Sequence, residues 1–571
     1  MYLMKKTPRP HGKNEPFRHE NHPRPITRRQ LLGAGFLSGP AFVLAPAWLA
    51  GLLKPQSAAA LDGTINAFEN ECQIKDNGAG AAAAGPLPFI VIDLAGGANL
   101  IGSEALVGVG SATTPGAQTN FLSAAGYSKL GLPGSMIPTA TTFIDNSLGL
   151  LFHSDSAIAR GIKTKASAAT LAGVSGVVIP AMSQNDTGNN PLNPMYGIAK
   201  AARAILTPTT TPTQYGSLLT LCGTQSSVSG GNSASPAAYI DATLQPTKIA
   251  APADDTGLVS TSGSAPNQDT VAALASQMRI STGGLAQTGA PAVAAFDTTS
   301  SAILATPTTT AVPAVPPGAL STASLNSALI PGNATADAAL REQVRCAYAK
   351  TGFTADKFGS PAALDPTADA NLIAASGAVF TPAEIAADAD LKKTASVAKL
   401  VLNGFAGAGT ITLGGFDYHS GNRVDGETKN AHAGVVIGAI LDYARRVGRP
   451  VMIQVISDGS LTSTGNVDTN AAARGKLGWQ GDNQQVAASF ILAYSPKGRP
   501  VMNTQQIGYM NADGTVNAMS SPAANANNLL VQTVILNWMA ANGTVANFKT
   551  LFPAQGLGAN TAMYTAFNQI T

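Results

Sequence analysis

PFIVIDLAGG, residues Pro88–Gly97, decides the fold. Five apolar residues, four of them aliphatic or aromatic without a break, precede an Asp and a Gly pair. The run is too short for a helix, and it lacks the polar alternation of a strand with one face in water. It reads as a strand buried on both faces, as in a parallel sheet. It stops at an acid and two glycines, where the chain leaves the sheet at a functional edge.

Working outward, the same pattern returns. GVSGVVIPAM (Gly173–Met182) is a second buried strand, followed by the polar loop Ser183–Asn190 and a helix over Asn193–Leu206. GTITLGGFD (Gly409–Asp417) and RPVMIQVISD (Arg449–Asp458) are further strands that end in Asp, and Val486–Tyr494 is another. Helical spacing covers Ala336–Ala349, Ala383–Gly404, His432–Val447 and Asn528–Ala540. Strands alternating with helices predict an α/β domain with a mainly parallel sheet. Residues 88–206 and 336–556 would build it together.

Between those parts, residues 207–335 are rich in Thr, Pro, Ser and Gly and poor in charge, as in Pro208–Pro212 and Pro313–Pro317. They read as a long insertion, a cap or surface lobe, with a helix at Gln268–Arg279 behind a possible Asn267 N-cap. A linker is the alternative, although short apolar pieces such as Ala302–Ala305 recur.

The first sixty residues read as an address. Eight Lys or Arg fall in residues 1–30, and Thr27-Arg28-Arg29-Gln30-Leu31-Leu32 opens a diluted apolar run to Leu53. A twin-arginine pair before such a run predicts Tat export of the folded chain. Ser57–Ala60 offers a small-residue cleavage site. The alternative is a retained anchor, since the run is just long enough to span. Residues 61–87 then form an N-terminal arm. The expected location is periplasmic or extracellular, with the Tat translocase as a partner during export and no stable membrane span after cleavage.

Nine of the 35 Lys and Arg and two of the 32 Asp and Glu lie in residues 1–60, which leaves the rest at a net −4. The basic whole-chain balance therefore belongs to the address, and nothing suggests a nucleic-acid surface. Charged residues make up only 12% of the chain, about half the usual share, which fits long polar loops and argues against a coiled coil. Cys72, Cys222 and Cys346 are too few and too scattered for a disulfide scaffold or a cysteine zinc site. One disulfide and one free thiol are compatible with the count.

Candidate ligands gather at the strand ends. Asp93, Asp417 and Asp458 each close a strand, and Asp482 precedes another. Carboxylates converging in one crevice repel one another unless they hold a cation; singly, each reads more readily as a loop cap. Beyond the address only His153, His419 and His432 remain. Asp417 and His419 are two apart, so on an extended segment they point to the same side. His153 reads as structural.

GGFDYH (Gly414–His419) resembles the GFDTH motif of a Tat-exported bacterial family of unknown function, related to the alkaline phosphatase and sulfatase superfamily. The resemblance continues through His432, the Val451–Asp458 strand, Gly481–Gln485, the ending Asn537-Trp538-Met539 to Leu551-Phe552-Pro553, and Asp93–Asn99 near the front. It implies an alkaline-phosphatase-like three-layer αβα sandwich with a long insertion. It also implies a divalent-metal site built from Asp93, Asn99, Asp417, His419, His432, Asp458 and Asp482. The chain departs from the family at Asn99, Asn483 and Asp458, where the family has Asp, His and Glu. Asn supplies a carbonyl oxygen, which suits Ca²⁺ or Mg²⁺ better than Zn²⁺, and the set is a poor match to a two-zinc site.

Two functions follow. One is a metal-dependent hydrolase of phosphate or sulfate esters, acting on a small ester substrate with Ser183 as the candidate catalytic nucleophile. The other is a relative that keeps the fold without catalysis and binds a cell-envelope partner.

Overall fold

A computed structural model describes residues 86–110, 120–183, 192–206, 219–224, 246–257, 361–419, 422–457 and 459–570. The expected export signal, nearly all of the expected arm, the helices expected at 268–279 and 336–349, and Asp458 lie outside these residues. Among the described residues eleven strands are formed: β1 (Phe89–Leu94), β2 (Ile144–Asp145), β3 (Phe152–His153), β4 (Val174–Pro180), β5 (Leu219–Gly223), β6 (Thr247–Lys248), β7 (Ala406–Leu413), β8 (Val451–Ser457), β9 (Leu461–Val467), β10 (Leu477–Asp482) and β11 (Ala488–Tyr494). The main helices are α1 (Ala157–Lys165), α2 (Met195–Leu206), α3 (Ala389–Leu402), α4 (Arg423–Arg446) and α5 (Asn527–Ala541).

Seven strands make one mixed, mostly parallel sheet in the order β4-β11-β8-β1-β7-β5-β6. β1 is central and pairs in parallel with β7 and β8, while β11 runs antiparallel to both its neighbours. All six residues of β1 are buried, as its apolar run requires. Its alternate side chains enter two clusters. Ile90, Ile92 and Leu94 join Val397 and Val401 of α3 and Val436 and Ile440 of α4. Phe89 and Val91 join Ile198 of α2 and Val534, Ile535 and Trp538 of α5. Strand residues alternate between faces with period two, so both sides of β1 meet helices. Among the described residues no helix is long and apolar enough to cross a membrane.

One boundary is corrected. β5 and β6 fall inside residues 207–335, which were expected to stand apart from the sheet, yet they form its edge beside β7. The run Leu218–Cys222 is long enough for a strand, and the Thr- and Pro-rich surroundings hid it. Cys222 within β5 is buried and free.

The helix expected from His432 starts nine residues earlier, at Arg423, capped by the Asn422 side chain. Its first turns are polar, but Arg423, Glu427 and Asn430 share one face and are buried. Apolar periodicity cannot reveal a face that is buried by charge pairing. Further along, α4 meets α1 at backbone contact. A Cβ added at Gly434 would lie 2.1 Å from the Ile158 carbonyl, and one at Gly161 would lie 2.0 Å from that of Ala431.

Candidate functional site

The carboxyl ends of β1, β7 and β8 lie together because the three strands are parallel neighbours. Behind β1, Ala95 N–H donates to the Leu413 carbonyl and Phe416 N–H to that of Ala95, which fastens the loop after β7 to the loop after β1. Gly96 has φ +127°, and a Cβ there would be 2.5 Å from the Asp417 nitrogen. At Gly97 a Cβ would be 3.3 Å from Asp482 Oδ1. The Gly pair therefore lets this backbone approach both acids closely. Ser457, at the end of β8, donates to the Leu94 carbonyl and accepts from Ala98 N–H. The β9–β10 hairpin follows directly and brings Asp482 to the same edge.

Asp417, His419 and Asp482 converge here, each offering a ligand atom within 4.8 Å of the others. Asp417 Oδ1 and His419 Nε2 are 2.8 Å apart, and both side chains are about half exposed, at 50% and 45%. Two carboxylates and an imidazole that converge in this way make a group that could hold one divalent cation.

Tyr418, between the two loop ligands, points the other way and is buried. Its hydroxyl accepts from Asn99 N–H at 2.9 Å and bonds Asn430 Oδ1 at 3.0 Å. Asn430 Nδ2 donates to the Asn99 carbonyl and to Glu104 Oε1. Glu104 Oε2 accepts from Ser156 Oγ at 2.5 Å and from Ile158 N–H at 2.9 Å, so it also caps α1. Close by, Glu427 Oε1 binds Arg423 and Lys476, each at 2.8 Å, and Arg160 reaches Glu427 Oε2. Arg423 stacks over Trp479 at 4.4 Å. Burial pushes the Glu104 carboxyl above the ordinary range, against the pull of Lys476. Glu427 is buried too, but Arg423 and Lys476 hold its carboxyl below that range. Burial, with Arg423, pushes the Lys476 ammonium down.

Of the other expected ligands, Asp458 lies outside the described residues. Asp93 is a buried residue of β1, opposite Thr412 and Ile456, and is not in the converging trio. Its strand position places it on the face of Phe89 and Val91, because the site loops leave the sheet only after Leu94. Asn99 is fully buried, its backbone held by Tyr418 and Asn430, and its Nδ2 has no partner. Its Oδ1 accepts from Ser103 Oγ at 3.4 Å. His432 lies instead beside α3, 3.7 Å from Asp388 Oδ2 and 3.5 Å from Asp390 Oδ2. It faces that way because its helix began two turns earlier than expected. These three also form a group of potential ligands. Asp388 is the α3 N-cap, with Oδ1 accepting from Asp390 and Leu391 N–H, and Asp390 Oδ1 binds Lys393.

Ser183 follows β4, and its N–H donates to the Gln484 carbonyl, two residues from Asp482. The side chain is 1% exposed and Oγ has no partner. No described group is placed to activate it as a nucleophile. Sequence reasoning missed Tyr418, Asn430 and Glu104. The one available signal was Tyr418, whose place between two same-side residues of an extended segment predicts an inward side chain.

Comparison with protein-family models, curated proteins and solved structures finds no match for this chain. The likeness to the Tat-exported family therefore rests on the motifs themselves.

Proposed function

We propose that the chain is an exported protein of alkaline-phosphatase and sulfatase type, a three-layer αβα domain that binds one divalent cation at Asp417, His419 and Asp482 and hydrolyses phosphate or sulfate esters. The convergence of those three ligands at the carboxyl edge of a mostly parallel sheet carries the reading. One nitrogen and two oxygen donors favour Zn²⁺ or Mn²⁺ over Ca²⁺. A cation held there supplies Lewis acidity toward an ester oxyanion. Tyr418 keeps the ligand loop in one position, and Ser183, whose N–H donates to the Gln484 carbonyl, is the candidate nucleophile, its buried hydroxyl needing a local opening before it can attack.

A cation-dependent binding protein without catalysis is the second reading. The half-exposed ligands and the lack of a base at Ser183 favour it. Metal content by mass spectrometry tests both, on the protein loaded with Zn²⁺ or Mn²⁺ and on Asp417→Ala. One bound ion in the wild type, lost in the variant, supports the site. Turnover of aryl phosphate or sulfate esters by the loaded wild type then selects hydrolysis, and its absence selects binding. A wild type that takes up no ion ends both.

A further inference from the structure

Asp255 lies in the short helix Pro252–Gly257 and is fully buried, yet neither carboxylate oxygen has a hydrogen-bond partner. Ser396 of α3 faces it, and its hydroxyl is likewise buried and out of hydrogen-bond geometry. The charged groups around it are few. Asp254, its neighbour, caps the Ala250 and Ala251 N–H groups. Asp365 approaches from the adjoining turn, and the Lys399 ammonium on α3 is held by Asp369 at 2.8 Å. The Cys222 thiol of β5 is also close, and burial pushes it up. An ionised carboxylate at this position loses its hydration and gains only the weak help of the Ser396 hydroxyl. Burial accordingly pushes the Asp255 carboxyl well above its ordinary range; Asp254 and Asp365 add to the effect, while Ser396 and Lys399 oppose it.

The helix belongs to residues 246–257, which fasten the edge of the sheet. β6 pairs with β5, Ile249 N–H donates to the Gly223 carbonyl, and Ile249 is buried. The helix itself packs on α3 and on the turn at 366–368.

We propose that Asp255 is a proton-operated latch: as a neutral acid it lets residues 246–257 dock on α3 and β5, and its ionisation loosens that edge of the sheet. The folded chain keeps a proton that the unfolded chain releases above about pH 4. Stability therefore falls as pH rises, by about tenfold in the folding constant per pH unit, until the folded pKa is passed. An exported protein meets the pH of its surroundings, so the latch would respond outside the cell.

The test is amide hydrogen exchange on the full chain between pH 4.5 and 8, corrected for intrinsic rates, with Asp255→Asn and Asp255→Leu alongside. Neither variant can ionise. Opening of 249–257 in the wild type should rise at least tenfold relative to either variant across that range. A ratio that stays constant with pH overturns the latch. Within the wild type alone, opening at 249–257 that gains no more with pH than opening at the β1 amides overturns it as well, whether or not the variants fold.

Discussion

The rim of the candidate site and the floor beneath it use similar side chains in opposite ways. On the rim, Asp417, His419 and Asp482 are exposed and converge. On the floor, Glu104, Glu427, Arg423 and Lys476 are buried, and paired carboxylates and cations fix α1, α4 and β10 to one another. Tyr418 joins the two levels, since its backbone carries the rim and its hydroxyl belongs to the floor. Floor charges hold shape, whereas rim charges stand exposed at the edge of the sheet.

The largest effect should come from breaking the floor. Glu427→Ala leaves the Arg423 and Lys476 cations in the interior without their shared carboxylate. Removing one partner of a buried pair costs about 3–5 kcal/mol, so chemical denaturation should show a loss of that size. A loss below about 1 kcal/mol would mean that the network behaves like a surface ion pair and that the comparison fails.

Tyr418→Phe probes the joint. It deprives the buried Asn99 N–H and Asn430 Oδ1 of their partner, for a cost of about 1–3 kcal/mol. The rim should feel it too, with cation affinity at Asp417 and His419 weakened about tenfold or more, as when an outer support of a ligand is removed. Titration calorimetry with Zn²⁺ measures this, and unchanged affinity would separate rim from floor.

The sequence exposed the rim better than the floor, for a physical reason. Buried parallel strands announce themselves as apolar runs, so β1, β4, β7, β8 and β11 were readable, and acids at strand ends pointed to Asp417 and Asp482. β5 was hidden by its Thr- and Pro-rich context, and the hairpin β9–β10 by its half-exposed polar residues. The start of α4 was hidden because its buried face is polar. His432 was drawn to the rim by its motif position, but pairing with Asp388 and Asp390 is set by three-dimensional neighbours that spacing does not encode.

That pairing gives a smaller, pH-dependent prediction. The Asp390 hydrogen bond, with Asp388, raises the His432 pKa against burial, and His432 and Lys393 hold Asp390 down at about 2. The His432 contribution is full below its unfolded pKa of about 6.5 and is lost as pH rises through the higher folded value. The Asp390 contribution is present above about pH 4 and is lost as pH falls toward 2. For these partly exposed groups His432→Ala should cost about 0.5–1 kcal/mol at pH 5.5 and less at pH 8.5, with cation binding at the rim intact. Loss of the bound ion in this variant would return His432 to the ligand set.

The smallest effect on stability should fall on the residues on which the proposed function rests. Asp417→Ala and His419→Ala each remove a half-exposed side chain whose one described ionic contact is the other. Surface changes of this kind stay within about 0.5 kcal/mol, and removing a carboxylate from beside Asp482 also relieves repulsion. In metal-free buffer the Asp417→Ala midpoint should match or slightly exceed that of the wild type. With Zn²⁺ the order should invert, because an ion bound only by the folded state stabilises the wild type in proportion to the logarithm of its concentration over Kd. A Zn²⁺-independent difference between the two chains would assign Asp417 to loop capping, the same work that Asp388 does at the head of α3.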